Sequence, residues 1–182
     1  MLKIAIVDDS KDWVFLINGY YLSHDVDKES NIYGAIYTEI QNNKDFNDLH
    51  TVIYGHNMRD GSMFGSLKDF ADSDFFERYD TFTIFLPEET RQYQIVAAYC
   101  YPAEHLLKSF DFSSSEAAEE YFQSIPGFVQ DTGGCMREEI SIQAPLVTLS
   151  TCTADDASMR YLVQGVMIEK ITNEQEEEVK RK

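Results

Sequence analysis

Cys152 ends the run Leu146-Val147-Thr148-Leu149-Ser150-Thr151-Cys152, which puts a thiol where an apolar strand would reach a sheet edge. Far upstream, Thr51-Val52-Ile53-Tyr54-Gly55 delivers His56 in the same manner. Arg160 opens a third run, Tyr161-Leu162-Val163-Gln164-Gly165-Val166-Met167-Ile168. A free thiol has a pKa of about 8.5 and is mostly protonated at neutral pH; a nearby imidazolium or guanidinium supplies the attacking thiolate. Histidine can return a proton to a departing amine. Arginine is permanently charged and rich in donors, so it can hold a carbonyl oxygen as negative charge develops there. A nucleophile, a base and a fixed cation at three strand ends point to cysteine acyl transfer. Each residue alone has a plainer reading, the cysteine as small core filling and the arginine as surface charge, so the words around them carry the case.

The elements that must position these residues are short strands. Leu2–Val7, Trp13–Ile17, Gly34–Thr38, Thr51–Tyr54, Thr81–Leu86, Gln92–Tyr101, Pro145–Thr151 and Arg160–Glu169 are rich in β-branched and aromatic residues. Thr81–Leu86 and Gln92–Tyr101 read as a hairpin around Pro87-Glu88-Glu89. Two stretches break the pattern. Asp60-Gly61-Ser62 is expected to cap a helix bearing Met63, Phe64, Leu67 and Phe70, with a further turn or two at Phe75–Tyr79. Ser113 with Glu116 reads as a capping box opening a helix whose stripe is Ala117, Ala118, Tyr121, Phe122 and Ile125, ended by Pro126-Gly127. The expected fold class is mainly β, a closed or nearly closed barrel of about eight strands with flanking helices.

At 182 residues the chain is read as one domain able to bury a proper core, with no linker splitting it. Its boundaries are taken as 1–170, followed by a polar tail over 171–182 that frays. A net charge of −17 makes nucleic acid a poor partner, since phosphate binding needs clustered Lys and Arg. The plain reading of that charge is solubility; the functional one is steering of cationic or amine-bearing partners. Cys100, Cys135 and Cys152 are too irregularly spaced for a metal pattern. Cys100 is read as core, Cys135 as a loop residue after Gly133-Gly134. His24, His50 and His105 are read as solvated or locally hydrogen-bonded in polar, loop-like surroundings. The apolar stretches are strand-sized, and no signal peptide is visible at Met1-Leu2-Lys3.

The chain resembles the sortase family, class B. Thr148-Leu149-Ser150-Thr151-Cys152 matches the family's Thr-Leu-x-Thr-Cys nucleophile motif. Tyr54-Gly55-His56-Asn57-Met58, continuing to Asp60-Gly61-Ser62-Met63-Phe64, is similar to the class B histidine segment, and Arg160-Tyr161-Leu162-Val163 to the arginine strand. The inserted helix over Ser113–Ile125 resembles the long helix of that class, and Asn18-Gly19-Tyr20-Tyr21-Leu22 its Asn-x-x-Tyr-Leu segment. The resemblance spans roughly residues 2 to 169. It implies a transpeptidase on the sortase β-barrel that cuts a sorting signal of a secreted surface protein after threonine. The acyl group would sit on Cys152 as a thioester and pass to an amine of peptidoglycan or its lipid-linked precursor. His56 would be the acid/base and Arg160 the holder of the oxyanion, with Ser150, Asn18 and Leu22 lining the peptide groove. No cofactor or metal is implied. Class B members often anchor proteins of haem or iron uptake. The expected location is the extracellular face of the membrane, reached through an N-terminal anchor that this chain does not display and that is expected to be missing from it. The position two after the cysteine, acidic in some class B members, is Ala154 here, with Asp155 and Asp156 next; a Cys-His-Arg site does not need it.

Three other readings compete with this one. Met1–Ser10, with Asp8-Asp9, looks like the start of a receiver domain, but Val52-Ile53-Tyr54-Gly55-His56 lacks the phosphoacceptor aspartate and the alternating βα pattern is missing. A catalytically silent peptide-binding module and a hydrolytic cysteine peptidase remain alternatives. Cysteine alkylation separates the first, and the response to added amine the second.

Overall fold

The computed structural model describes residues 2–5, 23–25, 27 and 29–172. The expected strand Trp13–Ile17, the groove residues Asn18 and Leu22, and the tail from Asn173 lie outside the described residues. Strands are β1 (Leu2–Ala5), β2 (Tyr37–Thr38), β3 (His50–Tyr54), β4 (Thr81–Phe85), β5 (Glu89–Pro102), β6 (Cys135–Met136), β7 (Leu146–Cys152) and β8 (Met159–Thr172). Helices are α1 (Ser73–Arg78), α2 (Leu106–Ser109) and α3 (Ser115–Thr132), with a 3-10 helix at Gly65–Ala71. The fold is mostly sheet with a few helices.

The strands form one eight-stranded sheet in the order β1-β4-β5-β8-β7-β3-β2, with β6 paired to β5. Among the described residues this is an open path whose ends, β1 and β2, do not pair, so the closed ring expected from the sequence is not seen among them. Parallel pairing of β3 with β7 sets Tyr54 beside Ser150. Antiparallel pairing of β7 with β8 sets Cys152 beside Arg160. The hairpin around Pro87 is present, closed by Leu86 N–H to the Glu89 carbonyl at 2.8 Å.

Alternation along the strands divides the buried residues between the two faces. One cluster gathers Ile53, Phe82, Val147, Leu149 and Val163 under Leu67, Phe70 and Phe76 of the 3-10 helix and α1. The other gathers Val52, Leu146 and Leu162 under Tyr121, Ile125 and Val129 of α3. In β5 the register shift between Ile95 and Ala97 changes the parity, so Tyr93 and Ile95 face one cluster while Ala97, Tyr99 and Tyr101 face the other. One 14-residue strand thereby serves both cores.

Several local expectations are corrected. The helix expected to start after Asp60 begins only at Gly65, as a 3-10 turn. The intervening loop bends back on itself: Phe64 N–H reaches the His56 carbonyl at 2.9 Å, Asn57 bridges Met63, and Met63 takes a φ of 53°. These contacts occupy backbone groups that a helix would have needed. The α3 cap is Ser114 rather than Ser113, its Oγ accepting from Ala117 N–H at 3.2 Å. The helix also runs through Pro126 to Thr132. Proline inside a helix costs about 3 kcal/mol, but Pro126 is exposed while Ile125 and Val129 are buried, so the apolar stripe continues past it. Gly133, with φ 65°, then ends the helix in the left-handed cap that glycine favours. Cys135 is not in a loop but in β6, opposite Ala98. β8 extends beyond Glu169 to Thr172, opposite Glu89, whose carboxylate takes Lys170 Nζ at 2.6 Å.

His50 departs most from its expected setting. It lies in β3, 1% exposed, with Nε2 at 2.7 Å from Thr148 Oγ1 and its ring stacked on Tyr121. Gln164 links Thr148 to Tyr99 and Tyr121, tying α3 to the sheet through a buried polar network.

Candidate active site

The ends of β3, β7 and β8 meet at one cavity of about 270 Å³. His56, Ser150, Cys152 and Arg160 all line it, joined by Tyr37, Tyr54, Tyr101, Glu104 and His105. His56, Cys152 and Arg160 are each partly exposed, so a bound molecule could reach all three. Four of the six residues singled out from sequence for the site are therefore brought together.

Parallel pairing explains why the thiol and imidazole converge. β3 and β7 run side by side and finish at the same edge, and hydrogen bonds carry the register past the last strand pair. Gly55 N–H donates to the Ser150 carbonyl at 3.1 Å, and Thr151 Oγ1 donates to the Gly55 carbonyl at 2.8 Å. Asn57 Nδ2 then donates to the Cys152 carbonyl at 2.8 Å. The residues on either side of His56 are thus bonded to the two residues that end the cysteine strand. Gly65 seats the loop behind His56: a Cβ there would lie 2.3 Å from the Met58 carbonyl oxygen, an approach only glycine permits.

Arg160 reaches the same edge by antiparallel pairing. Its Nη1 donates to the carbonyls of Ala157 and Met159 at 3.1 and 3.0 Å. In the connection between β7 and β8, Asp156 Oδ1 accepts from both the Ser158 N–H and hydroxyl, and the Asp156 carbonyl accepts from Thr153 Oγ1. Asp156 is engaged in shaping the turn. The arrangement supplies a thiol, an imidazole and a guanidinium around one space.

The aromatic wall is electrostatically distinct. Burial pushes the Tyr37 phenol up to about 12, with Glu39 and Cys152 adding to the shift and Arg160 opposing it. Tyr54 is raised further by burial and by Glu39, whose Oε2 accepts its hydroxyl at 2.9 Å. Both phenols are therefore protonated donors at neutral pH. Sequence reasoning named Tyr54, Asn57 and Thr151 only as parts of motifs, and passed over Tyr37, Glu39 and Tyr101. His105, expected to be solvated or locally hydrogen-bonded, is 46% exposed but meets a distant partner: its Nδ1 lies 3.1 Å from the buried Glu39 carboxylate. Tyr37 and Tyr54 stand 17 residues apart in the sequence, and no local signal specified their shared cavity.

A partly exposed cysteine, a histidine and an arginine at one cavity of this sheet fit a thiol-dependent acyl-transfer enzyme. A family model described as the sortase domain matches residues 16–168. Sortase B of Listeria monocytogenes is 30% identical over 172 residues, covering 92% of this chain and 69% of that protein. Sortase B of Staphylococcus aureus is 24% identical over 154 residues, covering 85% and 61%. The crystal structure of a mutant form of Clostridium perfringens sortase B matches with a TM-score of 0.73 at 27% identity, covering 84% of this chain and 72% of that one. The chain belongs to the sortase family, and to its class B. It is a cysteine transpeptidase of the kind that acts at the cell surface on sorting-signal substrates and amine nucleophiles of the cell wall. Among the described residues no helix is long and apolar enough to cross a membrane.

Proposed function

We propose that this protein cleaves a sorting signal after threonine and transfers the threonyl group to an amine of peptidoglycan or its lipid-linked precursor, anchoring a surface protein. The observation that carries the reading is the shared cavity: Cys152, His56 and Arg160, distant in sequence, line the same space. The Cys152 thiolate adds to the threonyl carbonyl, and Arg160 stabilises the oxyanion. His56 protonates the departing amine as the C–N bond breaks, leaving a thioester on Cys152. The incoming amine then attacks the thioester, His56 takes its proton, and collapse releases the thiolate and a new amide. Ser150, 3% exposed on the cavity wall, is assigned to the bound peptide, and Asn18 and Leu22 to the same groove by the resemblance of their segment.

The test is mass spectrometry of products from a library of Pro-x-Thr-containing peptides, with and without candidate amines, comparing the parent with Cys152→Ala. Amine adducts ending at threonine, lost in the variant, are expected. Undiminished product without the sulfur would refute the nucleophile. Hydrolysis product alone, indifferent to amine, would instead identify a hydrolytic peptidase.

A further inference from the structure

Glu39, just past β2, is 2% exposed and so is a carboxylate removed from water. Burying one costs several kcal/mol unless hydrogen bonds replace the lost hydration. Its Oε1 accepts from Ile40 N–H at 3.0 Å, and its Oε2 takes both the Tyr54 hydroxyl at 2.9 Å and His105 Nδ1 at 3.1 Å. Tyr54 and His105 both line the cavity that holds Cys152, so one hidden carboxylate fixes two of its walls.

The His105 contact is far from local. His105 follows β5, whereas Glu39 follows β2, and in the sheet β8, β7 and β3 lie between those strands. Four interstrand steps of about 4.8 Å would separate them by roughly 19 Å on a flat sheet. The intervening strands are those whose ends bear Arg160, Cys152 and His56. The segment after β5 therefore passes from one side of the cavity to the other, placing Pro102, Ala103, Glu104 and Leu106 in its lining. At its near end Ala103 N–H donates to the Ser158 carbonyl at 2.7 Å, in the connection leading to Arg160. At its far end the Glu39–His105 pair holds it next to Leu106, which is buried in the cluster under α3.

We propose that Glu39 and His105 form a clasp that holds the segment Pro102–Leu106 across the active-site cavity, and that this clasp sets how tightly the peptide substrate is held. The inference rests on the peptide-processing reading above. His105 and Glu39 are positioning residues: they act through the placement of the segment and of Tyr54, not on the reacting atoms.

His105 is 46% exposed, so the variant His105→Ala keeps the core intact. Asparagine at this position can present an amide donor close to where Nδ1 stands, making His105→Asn the rescue variant. His105→Ala is expected to raise KM for the peptide at least fivefold with kcat changed less than twofold. Alkylation of Cys152 by iodoacetamide should stay within twofold of the parent. Amide exchange over Ala103–Phe110 should accelerate at least tenfold, and His105→Asn should restore at least half of each loss. Unchanged KM, or a fall confined to kcat, would overturn the clasp. If the parent turns over no peptide, the functional reading fails separately, and the exchange comparison still decides the clasp: faster exchange upholds it and unchanged exchange removes it.

Discussion

Replacing His50 by glutamine should flatten the loss of stability that the parent suffers on mild acidification. The ring is buried in β3 between Thr148, Phe112 and Tyr121, and among the described residues Nδ1 has no hydrogen-bond partner. A second proton on that ring would create an imidazolium in an apolar pocket with one N–H unpaired, and burial holds its pKa at about 3, down from 6.5. As pH falls through 6.5, the unfolded chain takes up the proton while the folded chain does not. Stability is therefore lost from pH 6.5 downward until the folded pKa is reached. Each pH unit in that window costs about 1.4 kcal/mol, so a drop from pH 7 to pH 5 costs about 2 kcal/mol through this residue alone. Most carboxylates titrate below that range, and His24, His56 and His105 are common to both proteins, so the comparison isolates His50. Urea unfolding at pH 7 and pH 5 measures it: the parent should lose about 2 kcal/mol more than His50→Gln. Glutamine can still reach Thr148 but will lower stability at pH 7 by losing ring contacts, so the difference in slope is the readout. Parallel losses in the two proteins would refute the argument that the buried ring stays neutral.

Two further substitutions probe how the catalytic edge is assembled. Thr151→Val removes the bond to the Gly55 carbonyl and leaves that oxygen unpaired between the cysteine and histidine strands; a stability loss of about 1–3 kcal/mol by chemical denaturation, with a fall in peptide turnover, is expected. Gly65→Ala drives a methyl group against the Met58 carbonyl. It should cost about 1–3 kcal/mol in thermal unfolding and lower kcat more than tenfold by displacing the His56 loop, whereas Gly127→Ala, which meets open space on α3, should leave kcat unchanged and stabilise the fold by about 0.5–1 kcal/mol.

The edge that carries the candidate catalytic residues was legible because it is made of strand ends, and strands announce themselves by short runs of β-branched and aromatic residues. Cys152, His56 and Arg160 each close or open such a run, and the structure places all three at one cavity. Prediction failed where a local signal competed with a distant partner. Pro126-Gly127 reads as a helix stop, yet burial of Val129 carries the helix beyond it. Asp60-Gly61-Ser62 reads as a helix start, yet the bond from Phe64 to the His56 carbonyl turns those residues into a loop. Cys135 follows two glycines and reads as loop, yet its backbone completes a short pairing with β5.

The sequence by itself determined which side chains could do chemistry, most of the described strands, and the family to which their motifs correspond, because these are written in nearest-neighbour patterns of residue type. Only the tertiary structure decided the parallel placement of β3 beside β7, the neutral burial of His50, and the meeting of Glu39 with His105 across three strands. The reason is physical. Hydrogen-bond register and desolvation depend on residues far apart in the chain, and neither leaves a local mark until folding brings the partners together.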